Sequence, residues 1–122
     1  VYTDGKWVEF MLGQLLSNAV RYRSASPVIC ITGQNTAQGV TLTVADNGIG
    51  ISAAELPRIF DKGFTGSNGR ARGGSTGMGL YLCRRLAEQL GIQLLAESEE
   101  GQGTSFALRF PSGAQAGNLS KM

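Results

Sequence analysis

Apolar residues recur along this chain with two different periods, and the order in which those periods alternate leaves few architectures open. Val8, Leu12, Leu15, Leu16 and Ala19 fall on one side of a helix predicted from an Asp4 N-cap to about Arg23. The apolar run Val28-Ile29-Cys30-Ile31, within Pro27 to Thr32, and the alternation of Val40, Leu42 and Val44 with Thr41 and Thr43 predict two strands joined as a hairpin around Gln34 to Gly39. A short helix is expected from Ser52, with Glu55 three residues on as in a capping box, to about Phe60. The helical period returns from Gly77 to Leu90, where Met78, Leu82, Leu86 and Leu90 recur every fourth residue and Gly91 is placed as a stop. Ile92 to Ser98 and Thr104 to Phe110 then read as two more strands, the second with Phe106, Leu108 and Phe110 alternating. Helices with one apolar stripe and strands with one apolar face have to cover each other. The expected fold is therefore an α/β (α+β) two-layer sandwich, a mixed, mostly antiparallel sheet with helices on one face.

At 122 residues there is room for one such domain, placed at residues 1–111, with 112–122 as a small, polar, flexible tail. Val1 to Thr3 reads as the end of a strand that begins earlier, so the chain is expected to be part of a longer protein. No apolar stretch approaches membrane-spanning length, and a net charge of +2 is too small to point to nucleic acid, so neither partner is expected for this fragment. Histidine is absent, which removes the commonest neutral-pH acid or base, the commonest metal ligand and any phosphohistidine acceptor within the chain. Cys30 and Cys83 sit in apolar runs with no second ligand at metal spacing and read as buried small hydrophobes in a reducing, cytoplasmic setting. From Arg58 to Arg85 six basic residues face one acidic residue, a local excess suited to an anion.

Three clusters carry the chemistry. On the first helix Gln14, Asn18 and Arg21 share one face, which serves either as an ordinary solvated surface or to line an anion. In the second case the Asn18 carbonyl oxygen suits a Mg²⁺ already held by phosphate and water, and Arg21 suits phosphate. Asp46-Asn47-Gly48-Ile49-Gly50 is either a common Asp-Asn-Gly turn or the mouth of a site where glycines let a flat ring approach. There an ionised Asp46 prefers a ring edge that donates, as the exocyclic amine of adenine does and the guanine carbonyl does not. The third, Gly73 to Leu80, runs into a helix, so unpaired N–H groups and the positive helix end meet at a glycine turn suited to phosphate. It lacks the Lys-Ser/Thr of a Walker loop.

Read in order, Leu15 to Tyr22 (Leu-Leu-x-Asn-Ala-x-Arg-Tyr), Asp46 to Gly50 (Asp-x-Gly-x-Gly), Ile59 to Gly66 with its phenylalanines, Gly77 to Leu80 (Gly-x-Gly-Leu) and Gly101 to Thr104 (Gly-x-Gly-Thr) resemble the catalytic ATP-binding domain of bacterial sensor histidine kinases, of the Bergerat-fold GHKL superfamily. The likeness covers nearly the whole chain, and Asp61 to Gly66 with Ser75 to Leu82 looks closest to the kinases that partner antimicrobial-peptide transporters. It implies ATP and Mg²⁺ as cofactors, with Asn18 and Arg21 catalytic and Asn18 the metal ligand. It implies a nucleotide site of Gln14, Asn18, Arg21, Tyr22, Asp46, Gly48, Gly50, Ile51, Phe60, Lys62, Phe64, Thr76, Gly77, Met78, Gly79, Leu80 and Thr104, with 62–76 as a mobile lid. It further implies, as partners, a histidine-bearing dimerisation domain of the same protein and a response regulator, the whole forming a two-component, membrane-anchored sensor with this domain in the cytoplasm. Gln14 stands where related ATP hydrolases carry a water-activating Glu. That departure disfavours the alternatives of an ATP-driven hydrolase or clamp and of an anti-sigma-factor-like serine kinase.

Overall fold

The computed structural model describes residues 5–37, 39–64 and 78–111. In chain order these form α1 (Gly5–Arg21), β1 (Ile29–Thr36), β2 (Gly39–Asp46), a single 3-10 turn (Leu56–Arg58), α2 (Gly79–Leu90), β3 (Gln93–Glu99) and β4 (Gly103–Pro111). The strand order is β1-β2-β4-β3, and all three described pairings are antiparallel, where a mixed, mostly antiparallel sheet was expected. The Val1 to Thr3 strand end, the Asp4 cap, the bulk of the expected lid and the 112–122 tail lie outside the described residues.

Register decides which side chains share a face. Leu42, Leu108 and Leu94 are aligned across β2, β4 and β3, as are Val44, Phe106 and Ala96. These rows face the helices, where Met11 and Leu15 of α1 and Cys83, Ala87 and Leu90 of α2 complete one core. Phe106 and Leu108 are at most 1% exposed, so truncating either to Ala removes packing worth about 2–5 kcal/mol. The two-layer sandwich with helices on one face is thus the fold the periodicities require.

Local chemistry moves several boundaries. The first helix ends at Arg21 rather than about Arg23, and beyond it the Tyr22 carbonyl is turned to accept from Ile49 N–H at 3.0 Å. The short helix expected over 52–60 shrinks to the Leu56–Arg58 turn, with Pro57 at its start. The capping pattern there is half formed: Glu55 N–H donates to Ser52 Oγ at 3.3 Å, while the Ser52 hydroxyl turns to the Glu55 carboxylate instead of leaving it to reach back to the backbone. Gly91 closes α2 in the left-handed region at φ +71°, as its placement predicted. Cys30 corrects the reading of a buried thiol. It lies on the edge strand opposite Ala45, on the sheet face without helices, and is exposed, whereas Cys83 is buried and both thiols are free.

Candidate functional site

The apolar rows of the sheet end in a polar one. One register step beyond Val44, Phe106 and Ala96 on the same face, Asp46, Thr104 and Ser98 stand directly opposite one another on β2, β4 and β3. Asp46 Oδ1 accepts from Gly48 N–H at 2.8 Å and from Thr104 N–H at 3.2 Å, and Oδ2 takes no hydrogen bond among the described residues. Ser98 Oγ is the hub of the other side. It accepts from Ile51 N–H at 2.8 Å, donates to the Gly103 carbonyl at 2.8 Å, and with its one proton so used accepts from the Thr104 hydroxyl at 2.9 Å. Thr104, only 6% exposed, is fixed through both its N–H and its hydroxyl.

Two glycine turns and the end of α1 converge on this row. Gly101 N–H donates to the Ile49 carbonyl at 2.8 Å and Ile49 N–H to the Tyr22 carbonyl, so the turns at 46–50 and 99–104 and the helix end form one backbone assembly. Gly50, at φ +74°, lies so close to the Glu99 carbonyl that a Cβ would overlap it, and a Cβ on Gly48 would meet the Tyr22 carbonyl. Asn47 staples the preceding loop: Oδ1 accepts from Val28 N–H at 2.7 Å and Nδ2 donates to the Ser26 carbonyl at 2.9 Å.

The helical face predicted to meet an anion is brought to the start of α2. Gln14 Oε1 occupies the space a Cβ on Gly79 would need. Asn18, one turn on, is half-buried and its carboxamide makes no hydrogen bond among the described residues; Arg21 and Tyr22 follow, half-buried. Met78 occupies the N-cap of α2, its carbonyl accepting from Leu82 N–H at 2.9 Å, and Leu80 and Ile51 pack against the core. Thr76 and Gly77 lie outside the described residues.

Among the described residues, the basic segment is spent mostly on aromatic rings. The Arg84 guanidinium sits 4.2 Å from the Phe60 ring centre and donates to the Leu94 carbonyl at 3.1 Å, and Arg58 sits 4.9 Å from the Phe64 ring centre. Phe60 in turn meets Phe106 edge-on at 6.3 Å, so both phenylalanines are drawn into packing, while Lys62 stays exposed. Sequence reasoning missed Ser98. Its only signal is a hydroxyl residue at the end of a strand just before a Gly-x-Gly turn.

Residues 3–114 match the family described as histidine kinase-, DNA gyrase B-, and HSP90-like ATPase. The chain belongs to this family. Among curated relatives of this ATPase-family domain it is 50% identical over 111 residues to the sensor protein BceS of Halalkalibacterium halodurans and 47% identical over 111 residues to the sensor histidine kinase GraS of Staphylococcus epidermidis. Each alignment covers 91% of this chain, which spans about a third of the relatives' length, 33% and 32%. The mycobacterial sensor histidine kinase MprB shares the fold, with a TM-score of 0.80 at 19% identity over 91% of this chain and 76% of that one. The catalytic domain of histidine kinase ThkA superposes with a TM-score of 0.75 at 25% identity, covering 90% and 70%. Among the described residues, no helix of this family member is long and apolar enough to cross a membrane.

Proposed function

We propose that this chain binds ATP with Mg²⁺ and presents the γ-phosphate to a histidine on a separate dimerisation domain of the same protein, from which it passes to a response regulator. The observation that carries the reading is the Asp46 carboxylate. One oxygen is held by two backbone N–H groups and the other is left to accept from a donating ring position, which the exocyclic amine of adenine supplies and the guanine carbonyl in the same place does not. Gly48 and Gly50 keep side chains away from the ring, Thr104 stands beside it, and Ile51 and Tyr22 flank it. Gln14, Asn18 and Arg21 continue along α1 towards Gly79, so base and phosphates lie along one helix. Met78, Leu80 and Lys62, with Thr76 and Gly77, belong at the phosphate end, and Phe60 and Phe64 act through the segment they anchor.

The donor set fits Mg²⁺ held chiefly by phosphate. Among the described residues no group of three His, Cys, Asp or Glu could hold a metal alone, and Asn18 offers one uncommitted carbonyl oxygen. Bound there, Mg²⁺ supplies charge neutralisation on the phosphates. Phosphoryl transfer asks the protein for positioning and charge rather than a nucleophile, and the absence of histidine matches an acceptor supplied elsewhere. The sensor as a whole would sit in a membrane with this domain on the cytoplasmic side, among kinases that partner antimicrobial-peptide transporters. The test is calorimetric titration with ATP and GTP, with and without Mg²⁺, followed by γ-labelled ATP with and without an added histidine-bearing domain. ATP should bind in preference to GTP, and label should appear on the added domain alone. Brisk ATP turnover or self-labelling by the isolated chain overturns the proposal.

A further inference from the structure

A hydroxyl can donate as well as accept, and at the base end of the proposed site a neighbouring side chain decides which it does. Thr104 stands between Asp46 on β2 and Ser98 on β3 in the polar row. Its N–H holds Asp46 Oδ1, while its Oγ1 has one partner among the described residues, Ser98 Oγ at 2.9 Å. The Gly103 carbonyl cannot donate, so its 2.8 Å bond to Ser98 Oγ uses the one proton that Ser98 has. The Ile51 N–H, also at 2.8 Å, takes one of the two Ser98 lone pairs. Only a lone pair is left for Thr104, so the Thr104 proton points at Ser98 and away from a ligand. A threonine hydroxyl that nothing holds rotates to suit its surroundings. Here it is held, and the row offers acceptors alone: Asp46 Oδ2 and the remaining lone pairs of Thr104 Oγ1.

We infer that Ser98 is a positioning residue that sets the purine preference of the site by holding the Thr104 hydroxyl as an acceptor, an inference that rests on the nucleotide reading proposed above. Two neighbouring acceptors suit an exocyclic amine, which has a hydrogen for each, directly or through one bridging water. A carbonyl in the same position has no hydrogen for either. It recovers a bond only when Thr104 turns its proton away from Ser98. That turn leaves a Ser98 lone pair without its donor or, when Ser98 follows by donating to Thr104, leaves the Gly103 carbonyl without its own. Either way a carbonyl purine gains one hydrogen bond and the protein forfeits another. Asp46 disfavours the carbonyl by charge, and Ser98 removes the escape that a free hydroxyl would offer.

Inosine carries the carbonyl without the 2-amine of guanine, so ATP against ITP isolates the position in question. Calorimetric displacement with Mg²⁺ present gives the preference as a ratio of two affinities, which a smaller folded fraction lowers equally. Ser98→Ala frees the Thr104 hydroxyl to donate, and the ATP-over-ITP ratio should fall about 2- to 10-fold, the worth of one neutral hydrogen bond. Ser98→Thr keeps a hydroxyl there and should keep the ratio. In a Thr104→Val background there is no hydroxyl to free, so adding Ser98→Ala should leave the ratio where Thr104→Val set it. With ATP still bound by the unmodified chain, any of three results overturns the inference and leaves the nucleotide reading standing: an unchanged ratio in Ser98→Ala, an equal fall in Ser98→Thr, or a further fall in the Thr104→Val background. Should Ser98→Ala fail to fold, Thr104→Val decides. A hydroxyl held as an acceptor gives ITP no bond to lose, so ITP affinity should hold, and a selective loss of ITP affinity overturns the inference. Failure of the unmodified chain to bind ATP overturns the nucleotide reading itself, and this inference with it.

Discussion

Replacing Asp46 with Asn separates what its carboxylate does for the fold from what it does for a ligand. Oδ1 accepts from the Gly48 and Thr104 N–H groups, and an Asn carbonyl oxygen in the same place still accepts from both. The fold then loses only the charge assistance, a loss of about 1 kcal/mol or less. The same two bonds force the new amide nitrogen into the Oδ2 position, where it donates instead of accepting. Adenine, which also donates there, loses a bond to a charged group, about 1.5–3 kcal/mol, so ATP affinity falls roughly 10- to 150-fold. Guanine presents a carbonyl to the same nitrogen, so the ATP preference over GTP should narrow sharply. Asp46→Ala behaves differently: it strands both N–H groups, each costing about 1–3 kcal/mol when buried, and should destabilise the domain several times more than Asn does. Urea unfolding and calorimetry with both nucleotides measure all of this. Unchanged ATP affinity and nucleotide preference in Asp46→Asn, with stability intact, would remove Asp46 from the base pocket. Equal destabilisation by Asn and Ala would refute the assigned hydrogen bonds.

Gly50→Ala should lower the unfolding free energy by more than about 2 kcal/mol, since the left-handed backbone at φ +74° alone costs an L residue about 1–2 kcal/mol and the new Cβ meets the Glu99 carbonyl; a thermal melt checks it. A thiol reagent should modify Cys30 alone in the native chain and both cysteines in denaturant, because Cys30 is exposed and burial pushes the Cys83 thiol up to about 12. The same group ties stability to alkaline pH. Below pH 9 both states hold the proton and nothing changes. Between 9 and about 12 the unfolded thiol has lost its proton while the folded one keeps it, so stability falls as pH rises, by up to about tenfold in the folding constant per pH unit, and Cys83→Ala should remove that component. Gln14→Glu keeps the shape beside Gly79 but adds a base, and should raise ATP hydrolysis by up to about 10²–10⁴-fold if a missing base is what silences it; turnover at the original level with ATP still bound would exclude that cause.

Periodicity and turn chemistry were enough to determine the order of elements, the two-layer arrangement, the stop at Gly91 and the glycine turns at 46–50 and 99–104, because each depends on residues within one or two turns of chain. The motifs likewise led to the expectation that Asn18, Asp46 and Thr104 share a site, and of these Asp46 and Thr104 are hydrogen-bonded neighbours. Tertiary structure alone decided how that site is assembled. Thr104 reaches the Asp46 carboxylate from 58 residues away, and Ser98 bridges Ile51 and Gly103, because the order β1-β2-β4-β3 lines up the ends of three strands. No local pattern records that alignment. The same holds for burial: an apolar run such as Val28 to Ile31 shows that a strand has faces but not which face a helix covers, so Cys30 looked internal until its strand proved to be the edge. The basic stretch from Arg58 to Arg85 read as a field for an anion, yet Arg58 and Arg84 lie on the rings of Phe64 and Phe60, since a guanidinium stacks on an aromatic face as readily as it pairs with charge; the turns at 58–64 bring Arg58 to Phe64, and only the packing of α2 against that segment brings Arg84 to Phe60.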